Sequence, residues 1–201
     1  MVLDLLKVHG SGNTFYIYET KDESLYDWVS LAKWLCEDTN HGGADGLLLV
    51  APSKKGLAKM RVINADGTEA SMCGNGLRCV ARYVLEKNGV SEGLIETMKA
   101  TLHVEQEETL FNGVPTYAVE IAPVSFELSS LPMEVDDKTT FINEIYGELD
   151  EHIAFTAVSV PNPHLIAFVP KEKIENPTHQ ERLATYLNGE NPICPDGVNV
   201  S

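Results

Sequence analysis

One cysteine in this chain stands where a thiol could act as an acid or a base. Cys73 is followed directly by Gly74-Asn75-Gly76, and the apolar spacing after this loop predicts a helix that closes at Asn88-Gly89. The first turn of a helix has backbone N–H groups without partners and a partial positive charge, which together stabilise a thiolate. The glycines leave these N–H groups accessible to a small anion. The sequence therefore predicts a thiol base beside an anion-binding loop.

A structural role for Cys73 is the alternative, because a lone buried cysteine is more often inert packing than a nucleophile. The turn at Asn64-Ala65-Asp66-Gly67 and the helix start favour a catalytic role. The other cysteines are Cys36, Cys79 and Cys194, and they form no CxxC pair and no common zinc spacing. Cys36 and Cys79 fall within helical patterns and are interpreted as core packing. We therefore expect neither a disulfide framework nor a metal site.

The composition argues against several classes of protein. With 201 residues, of which 43% are hydrophobic, the chain can bury a real core. Its net charge of −15 argues against binding to nucleic acid or to an anionic membrane surface. No apolar run is long enough to span a bilayer, and Met1–Lys7 is too short and wrongly charged for a signal peptide. We therefore expect a soluble, cytoplasmic protein.

Short strands alternating with single helices are predicted before residue 123. The helix after Cys73 has one apolar face, made of Leu77, Val80, Ala81, Val84 and Leu85. Another helix is predicted at about Leu25–Glu37, with Ser24 as its N-cap. The strands are predicted at Leu3–Val8, Phe15–Glu19, Gly46–Ala51, Leu57–Asn64, Thr68–Met72, Leu94–Met98, Leu102–Glu107 and Thr116–Ile121. Asn112-Gly113 is predicted to be a hairpin turn.

The pattern changes after Pro123. The predicted elements are strands at Phe155–Val160 and Leu165–Val169 and a helix at Thr178–Leu187. For Lys138–Leu149, a helix and partial disorder are both left open. The final residues begin an apolar strand that stops at Ser201. We therefore expect residues 123–201 to be the start of a second domain whose C-terminal part lies beyond this sequence.

Several motifs of the chain resemble those of the diaminopimelate epimerase family, in the family's order. They are His9-Gly10-Ser11-Gly12-Asn13, Gly43-Ala44-Asp45-Gly46, Asn64-Ala65-Asp66-Gly67 with Cys73-Gly74-Asn75-Gly76-x-Arg78-Cys79, Ser159-x-Pro161-Asn162-Pro163-His164, and Pro195-x-Gly197-Val198-Asn199. The resemblance covers nearly the whole chain. It implies a mixed α/β (α+β) fold of two similar strand-rich halves, each wrapped around a helix, with the active site in the cleft between them. Residues 1–122 would form the first half and residues 123–201 an incomplete second half.

The resemblance also implies an activity and its residues. Family members invert the α-carbon of LL-diaminopimelate to give the meso form, for lysine and cell-wall synthesis, without pyridoxal phosphate, another cofactor or a metal. Two cysteines face opposite sides of that carbon, one as thiolate base and one as thiol acid, and Cys73 matches one of them. His164 matches a histidine thought to assist catalysis. The matched positions that hold the substrate's polar groups are Asn13, Asn64, Gly74, Asn75, Asn162 and Asn199.

The chain departs from the family's pattern in two places. The family's second cysteine lies in an A-C-G-T-G-like motif preceded by an E-R-G-x-G-E-T-like motif, and neither occurs in these 201 residues. Cys194 is no substitute, because it lacks flanking glycines and precedes Asn199. Pro161 stands where the family usually has glycine, and proline fixes φ and removes an N–H donor. This substitution would alter how Asn162 is presented.

Three hypotheses follow. The leading one is epimerisation of diaminopimelate by a cysteine pair to which this chain contributes Cys73. The second is a truncated or inactive relative that binds amino-acid carboxylates without turnover, because the second cysteine motif is missing. The third is a related isomerase acting on another amino acid, because the residues for the distal end of the substrate lie partly outside this sequence. In each case the partner is a small amino acid, and family members often pair, which leaves a homodimer open.

Overall fold

The chain forms two compact units, Met1–Ile121 and Ala122–Ser201. The computed structural model describes residues 3–37, 42–121, 123–146, 152–160, 162–174, 177, 178, 181, 185, 193–195 and 197–200. Pro161 and most of the predicted helix Thr178–Leu187 lie outside these residues. None of the described helices is long and apolar enough to cross a lipid bilayer. Strands outnumber helices in the described part of both units, so the predicted mixed α+β fold is confirmed.

A sheet of eight strands forms the first unit. The strands are β1 (Leu6–Gly10), β2 (Asn13–Glu19), β3 (Gly46–Ala51), β4 (Ala58–Asn64), β5 (Glu69–Ala70), β6 (Glu92–Glu96), β7 (Thr101–Phe111) and β8 (Val114–Val119). Their order is β1-β2-β3-β4-β6-β7-β8, with β5 paired to β4. The pairs β2–β3 and β4–β6 are parallel and the others are antiparallel.

Two helices cover the two faces of this sheet: α1 (Trp28–Cys36) and α2 (Gly74–Asn88). The predicted apolar face of α2 is confirmed, because all five of its residues are buried. Alternate side chains of β3 point to opposite faces, so Leu48 packs in the cluster with α2 while Leu47 packs in the cluster with α1. Every residue of β3 is consequently buried.

The predicted C-terminal end of α2 is correct, whereas the predicted N-cap of α1 is not. Helix α2 closes at Gly89, whose φ of 65° lies in the left-handed region that glycine tolerates, so the predicted end is confirmed. The prediction of Ser24 as the N-cap of α1 is wrong. The cap is Asp27, whose carboxylate accepts the N–H of Ser30 at 3.2 Å. Ser24 instead donates its hydroxyl to Asp22 at 2.7 Å, in a turn before the helix.

The first hairpin is tighter than predicted. Strand β1 ends at Gly10 and β2 begins at Asn13, and these two residues are paired. Only Ser11 and Gly12 form the turn, with φ values of 50° and 97°, as a two-residue hairpin turn requires. Asn13 therefore lies at the start of a strand instead of in a loop. The predicted hairpin at Asn112-Gly113 is confirmed by its position between β7 and β8.

The second unit contains a smaller sheet of four strands, in the order β12-β11-β10-β9. The strands are β9 (Glu144–Ile145), β10 (Ala154–Val160), β11 (Asn162–Ile166) and β12 (Asn199–Val200). The same unit contains a 3-10 turn at Leu128–Ser130 and a short helix, α3 (Lys171–Ile174). The core of this unit includes Phe141, Phe155, Leu165 and Cys194.

One prediction for the second unit is wrong, and one of two open alternatives is excluded for the described residues. Strand β11 covers Asn162–Ile166 and not Leu165–Val169, because its pairing with β10 begins with Asn162 opposite Val160. Asn162-Pro163-His164 therefore belongs to a strand. The described part of Lys138–Leu149 is not a helix, since Glu144–Ile145 pairs with β10.

Candidate active site

The Cys73 thiol caps helix α2. Cys73 has extended backbone angles, and its Sγ accepts the N–H of Gly76 at 3.4 Å, where a Ser or Asp side chain commonly sits. Its carbonyl accepts the N–H of Leu77 at 2.8 Å. The residue is partly exposed. The sulfur therefore lies at the positive end of the helix dipole, where an anion is stabilised.

Three strands have an end on the same side of the sheet, and helix α2 contacts one of them. Asn13 begins β2, Gly46 begins β3 and Asn64 ends β4. Because β2 and β3 are parallel while β4 is antiparallel to β3, these three positions fall at the same end of the sheet, with Gly46 opposite Asn64. The side chain of Asn75 on α2 reaches this end and donates its Nδ2 to the Oδ1 of Asn13 at 2.6 Å. The structure thus brings together Asn13, Gly74 and Asn75 with Cys73.

Three further polar residues join this group, although the sequence suggested no role for them. The carboxylate of Asp45 accepts the backbone N–H of Thr14 at 2.7 Å and the Nδ2 of Asn13 at 3.5 Å. Arg78 donates its Nη2 to the Oδ1 of Asn75 and, at 2.9 Å, to the hydroxyl of Ser11. Asp45, Arg78 and Ser11 all stand inside the motifs quoted above. Their position inside these motifs was the signal by which the sequence could have identified them as site residues.

Asn64 is held mainly within its own turn. Its Nδ2 donates to the Oγ1 of Thr68 at 2.9 Å, and its carbonyl accepts the N–H of Gly67 at 2.9 Å. The following N–H, of Ala65, donates to the Asp45 carbonyl at 3.0 Å. Asn64 is therefore joined to the other site residues through the backbone of Asp45.

The remaining predicted residues lie in the second unit. Asn162 begins β11 and is exposed, and His164 lies two residues further and is partly exposed. Asn199 on β12 is the register partner of His164, and its Nδ2 donates to the Pro163 carbonyl at 3.0 Å. The structure therefore brings His164 and Asn199 together on two neighbouring parallel strands.

Two glycines of the site differ in the space that surrounds them. A Cβ on Gly74 would meet no heavy atom within 4 Å, so the backbone beside Cys73 borders open space. A Cβ on Gly10 would lie 2.7 Å from the Asn75 carbonyl oxygen and 3.2 Å from the Cys79 Sγ. The end of β1 can therefore approach the first turn of α2 only because residue 10 is glycine.

We expect Gly10→Ala to lower the free energy of unfolding by about 1–3 kcal/mol, since overpacking at a backbone contact forces the neighbours apart. Gly74→Ala is the matched control: it should leave that free energy unchanged or raise it by up to about 1 kcal/mol, because alanine favours helices over glycine. Urea denaturation of both variants measures the effect. An equal loss of stability in the two variants would contradict the close contact at Gly10.

Two of the other three cysteines are buried, whereas Cys79 is partly exposed like Cys73. Cys36 and Cys194 are buried, and burial raises the pKa of each thiol to about 11. Burial also raises the pKa of Cys79, which packs partly against the core cluster around α2. The core interpretation of Cys36 is confirmed by its burial.

These differences predict an order of alkylation. With a pKa of about 11, Cys36 and Cys194 have at pH 8 a thiolate fraction about two orders of magnitude below that of an ordinary thiol. We therefore expect iodoacetamide to modify Cys73 first in the native protein. Peptide mass spectrometry over a time course gives the order. Modification of Cys36 or Cys194 ahead of Cys73 would contradict it.

Comparison with known proteins decides the family. The family model described as diaminopimelate epimerase matches residues 5–113, which include every predicted site residue of the first unit. The chain belongs to the diaminopimelate epimerase family. The resemblance inferred from the motifs is therefore confirmed.

Similar proteins are known from several bacteria. The diaminopimelate epimerase of Listeria innocua is 50% identical to this epimerase-family chain over 97% of the chain and 61% of its own length. That of Ligilactobacillus salivarius is 50% identical over 99% of the chain and 63% of its own length. The chain thus spans about three fifths of the length of the curated relatives it matches.

Solved structures support the fold. A predicted epimerase from Pseudomonas aeruginosa aligns with a TM-score of 0.58 at 12% identity, covering 85% of this epimerase-family chain and 61% of its own. A phenazine biosynthesis protein of the PhzF family from Bacillus anthracis aligns with a TM-score of 0.56 at 18% identity, covering 84% of this chain and 56% of its own. At these identities the likeness concerns the fold alone.

Proposed function

We propose that the gene product carrying this chain is an isomerase that epimerises LL-diaminopimelate to meso-diaminopimelate in lysine and cell-wall precursor synthesis. The observation that carries the proposal is the partly exposed Cys73 thiol at the N-terminus of α2, beside the open space at Gly74. Two relatives that are 50% identical to the chain bear the name of this enzyme.

The chemistry requires a base at the α-carbon and donors for the carboxylate. The Cys73 thiolate would take the α-proton and become a thiol, while the electron pair of the C–H bond is delocalised into the substrate carboxylate. The backbone N–H groups of Gly74 and Asn75 and the side-chain amides of Asn13 and Asn75 are pre-organised donors for that charge. A thiolate suits this transfer because its pKa can be tuned towards neutrality.

Inversion needs a proton delivered to the opposite face of the same carbon. In the reverse reaction the Cys73 thiol would return a proton to its own face of the carbon and become the thiolate again. The family's second cysteine motif does not occur in these 201 residues, so we assign the second acid to none of them. We propose that Asn64, Asn162 and Asn199 bind polar groups of the substrate and that His164 assists the reaction. No metal or organic cofactor takes part in this proposal.

Proton exchange in heavy water tests the proposal. The complete gene product is incubated with LL-diaminopimelate in deuterated water, and NMR follows the α-hydrogen signal. We expect deuterium at one α-carbon and the appearance of the meso isomer. Parallel incubations with other amino acids test the substrate. Absence of exchange with LL-diaminopimelate rejects the proposal, and exchange with another amino acid alone assigns a different substrate.

The missing second motif favours one other candidate for these 201 residues by themselves: binding of an amino-acid carboxylate without turnover. Calorimetry with meso-diaminopimelate on the 201-residue chain separates the two. Heat of binding without deuterium exchange supports the second candidate. Measurable turnover by this chain rejects it.

A further inference from the structure

We propose that Arg78 is a positioning residue that fixes the orientation of the Asn75 and Asn13 amides through a hydrogen-bonded chain ending on Asp45. The chain runs from Arg78 to the Oδ1 of Asn75, from the Nδ2 of Asn75 to the Oδ1 of Asn13 at 2.6 Å, and from the Nδ2 of Asn13 to the Oδ2 of Asp45 at 3.5 Å. What these amides then do for a ligand rests on the proposed function.

The groups at the two ends of the hydrogen-bonded chain fix the donor-to-acceptor direction of its hydrogen bonds. A guanidinium can only donate hydrogen bonds and an ionised carboxylate can only accept them, whereas an amide does both and can be flipped. With Arg78 at one end and Asp45 at the other, each amide has one orientation in which all three contacts form. A flip of Asn75 would direct its N–H groups at Arg78 and set its oxygen against that of Asn13.

Both ends are attached to the sheet. The Nη2 of Arg78 also donates to Ser11 in the β1–β2 turn, at 2.9 Å. Asp45 accepts the N–H of Thr14 at 2.7 Å, and its own N–H donates to the Thr14 carbonyl at 2.8 Å. The chain therefore ties the first turn of α2 to the starts of β2 and β3.

The hydrogen-bonded chain lies beside Cys73, so the fixed orientation of its amides determines what they present to a ligand. Within the hydrogen bonds of the described residues, Asn75 and Asn13 each use one N–H in the chain, which leaves one further N–H on each for a ligand carboxylate. A flipped Asn75 would present an oxygen there and repel the carboxylate. Arg78 thus acts through Asn75 and not by touching the ligand.

A double-mutant cycle on the complete gene product tests this role. We expect Arg78→Met to lower kcat/KM for LL-diaminopimelate by about 10- to 100-fold, the range for a hydrogen bond to a charged group. In the Asn75→Ala background the same change should have almost no further effect, because the amide through which Arg78 acts is gone. Independent, multiplying losses would overturn the proposal and make Arg78 a direct electrostatic contact.

Arg82→Met is the matched control. Arg82 lies one turn further along α2, carries the same charge and is bonded to Glu86 at 3.0 Å. It should leave kcat/KM unchanged. A loss equal to that of Arg78→Met would show that net charge alone matters and would overturn the proposal.

An NMR measurement tests the proposal independently of enzymatic turnover. In the ¹⁵N-labelled protein we expect the side-chain N–H₂ signals of Asn75 and Asn13 to be protected from hydrogen exchange, and to lose that protection in Arg78→Met but not in Arg82→Met. Asp45→Ala, which removes the acceptor at the end of the hydrogen-bonded chain, should lower the protection of the same signals and serves if Arg78→Met does not fold. Unchanged signals would overturn the proposal. If the wild-type protein shows no turnover, the proposed function fails while this measurement still decides the role of Arg78.

Discussion

Replacing Cys73 by serine is expected to lower the rate of α-proton exchange by about 10²- to 10⁴-fold, the usual contribution of a positioned acid–base group. Serine is a favoured N-cap, so its hydroxyl can take over the contact that the Cys73 Sγ makes with the Gly76 N–H. The free energy of unfolding should therefore be unchanged or slightly higher. Deuterium exchange and urea denaturation on the same preparation separate the chemical role of the sulfur from its role as a cap.

Cys79→Ala provides the comparison for this prediction. Cys79 lies within the same helix and not at its cap, and burial raises the pKa of its thiol. Its replacement should leave the exchange rate close to that of the wild type. Full exchange activity in Cys73→Ser would remove Cys73 from the proposed mechanism, and an equal loss in both variants would assign the effect to the helix and not to the thiol.

Shortening Leu77 to alanine is expected to lower the free energy of unfolding by about 2–5 kcal/mol, the range for a large-to-small change in a packed core. Leu77 is 0% exposed and lies in the cluster that joins α2 to the sheet. Its backbone N–H also donates to the Cys73 carbonyl. The cavity therefore lies directly under the turn that carries the thiol.

Leu110→Ala is the control for core packing, because Leu110 lies on β7 with 59% of its surface exposed. It should change the free energy of unfolding by less than about 0.5 kcal/mol. Thermal or urea denaturation of both variants measures the difference. Similar values for the two variants would contradict the assignment of Leu77 to the core.

Local signals predicted helix α2 well. Its buried face follows from apolar spacing, and its end follows from Gly89. The cap of α1 was mistaken because Ser24 and Asp27 are both good caps, and the choice depends on which one reaches a free N–H. Propensity alone does not contain that information.

The polar chain beside Cys73 could not be derived from spacing. Asn75 and Asn13 are 62 residues apart, and Asn13 and Asp45 are 32 apart, so their contacts depend on the order of strands in the sheet. Strand register likewise determines the structure around Asn162 in the second unit. Asn-Pro favours a turn locally, but Asn162 pairs with Val160 and therefore lies in a strand.

The site residues of the first unit share one end of its sheet, and the opposite end offers a position for labelling. Strand β3 runs from Gly46 beside the site to Ala51, a length of roughly 17 Å at the usual rise per residue. The connection that follows contains Lys55, whose side chain is 67% exposed. A fluorophore or affinity tag attached there would report on the fold or immobilise the protein while remaining remote from Cys73.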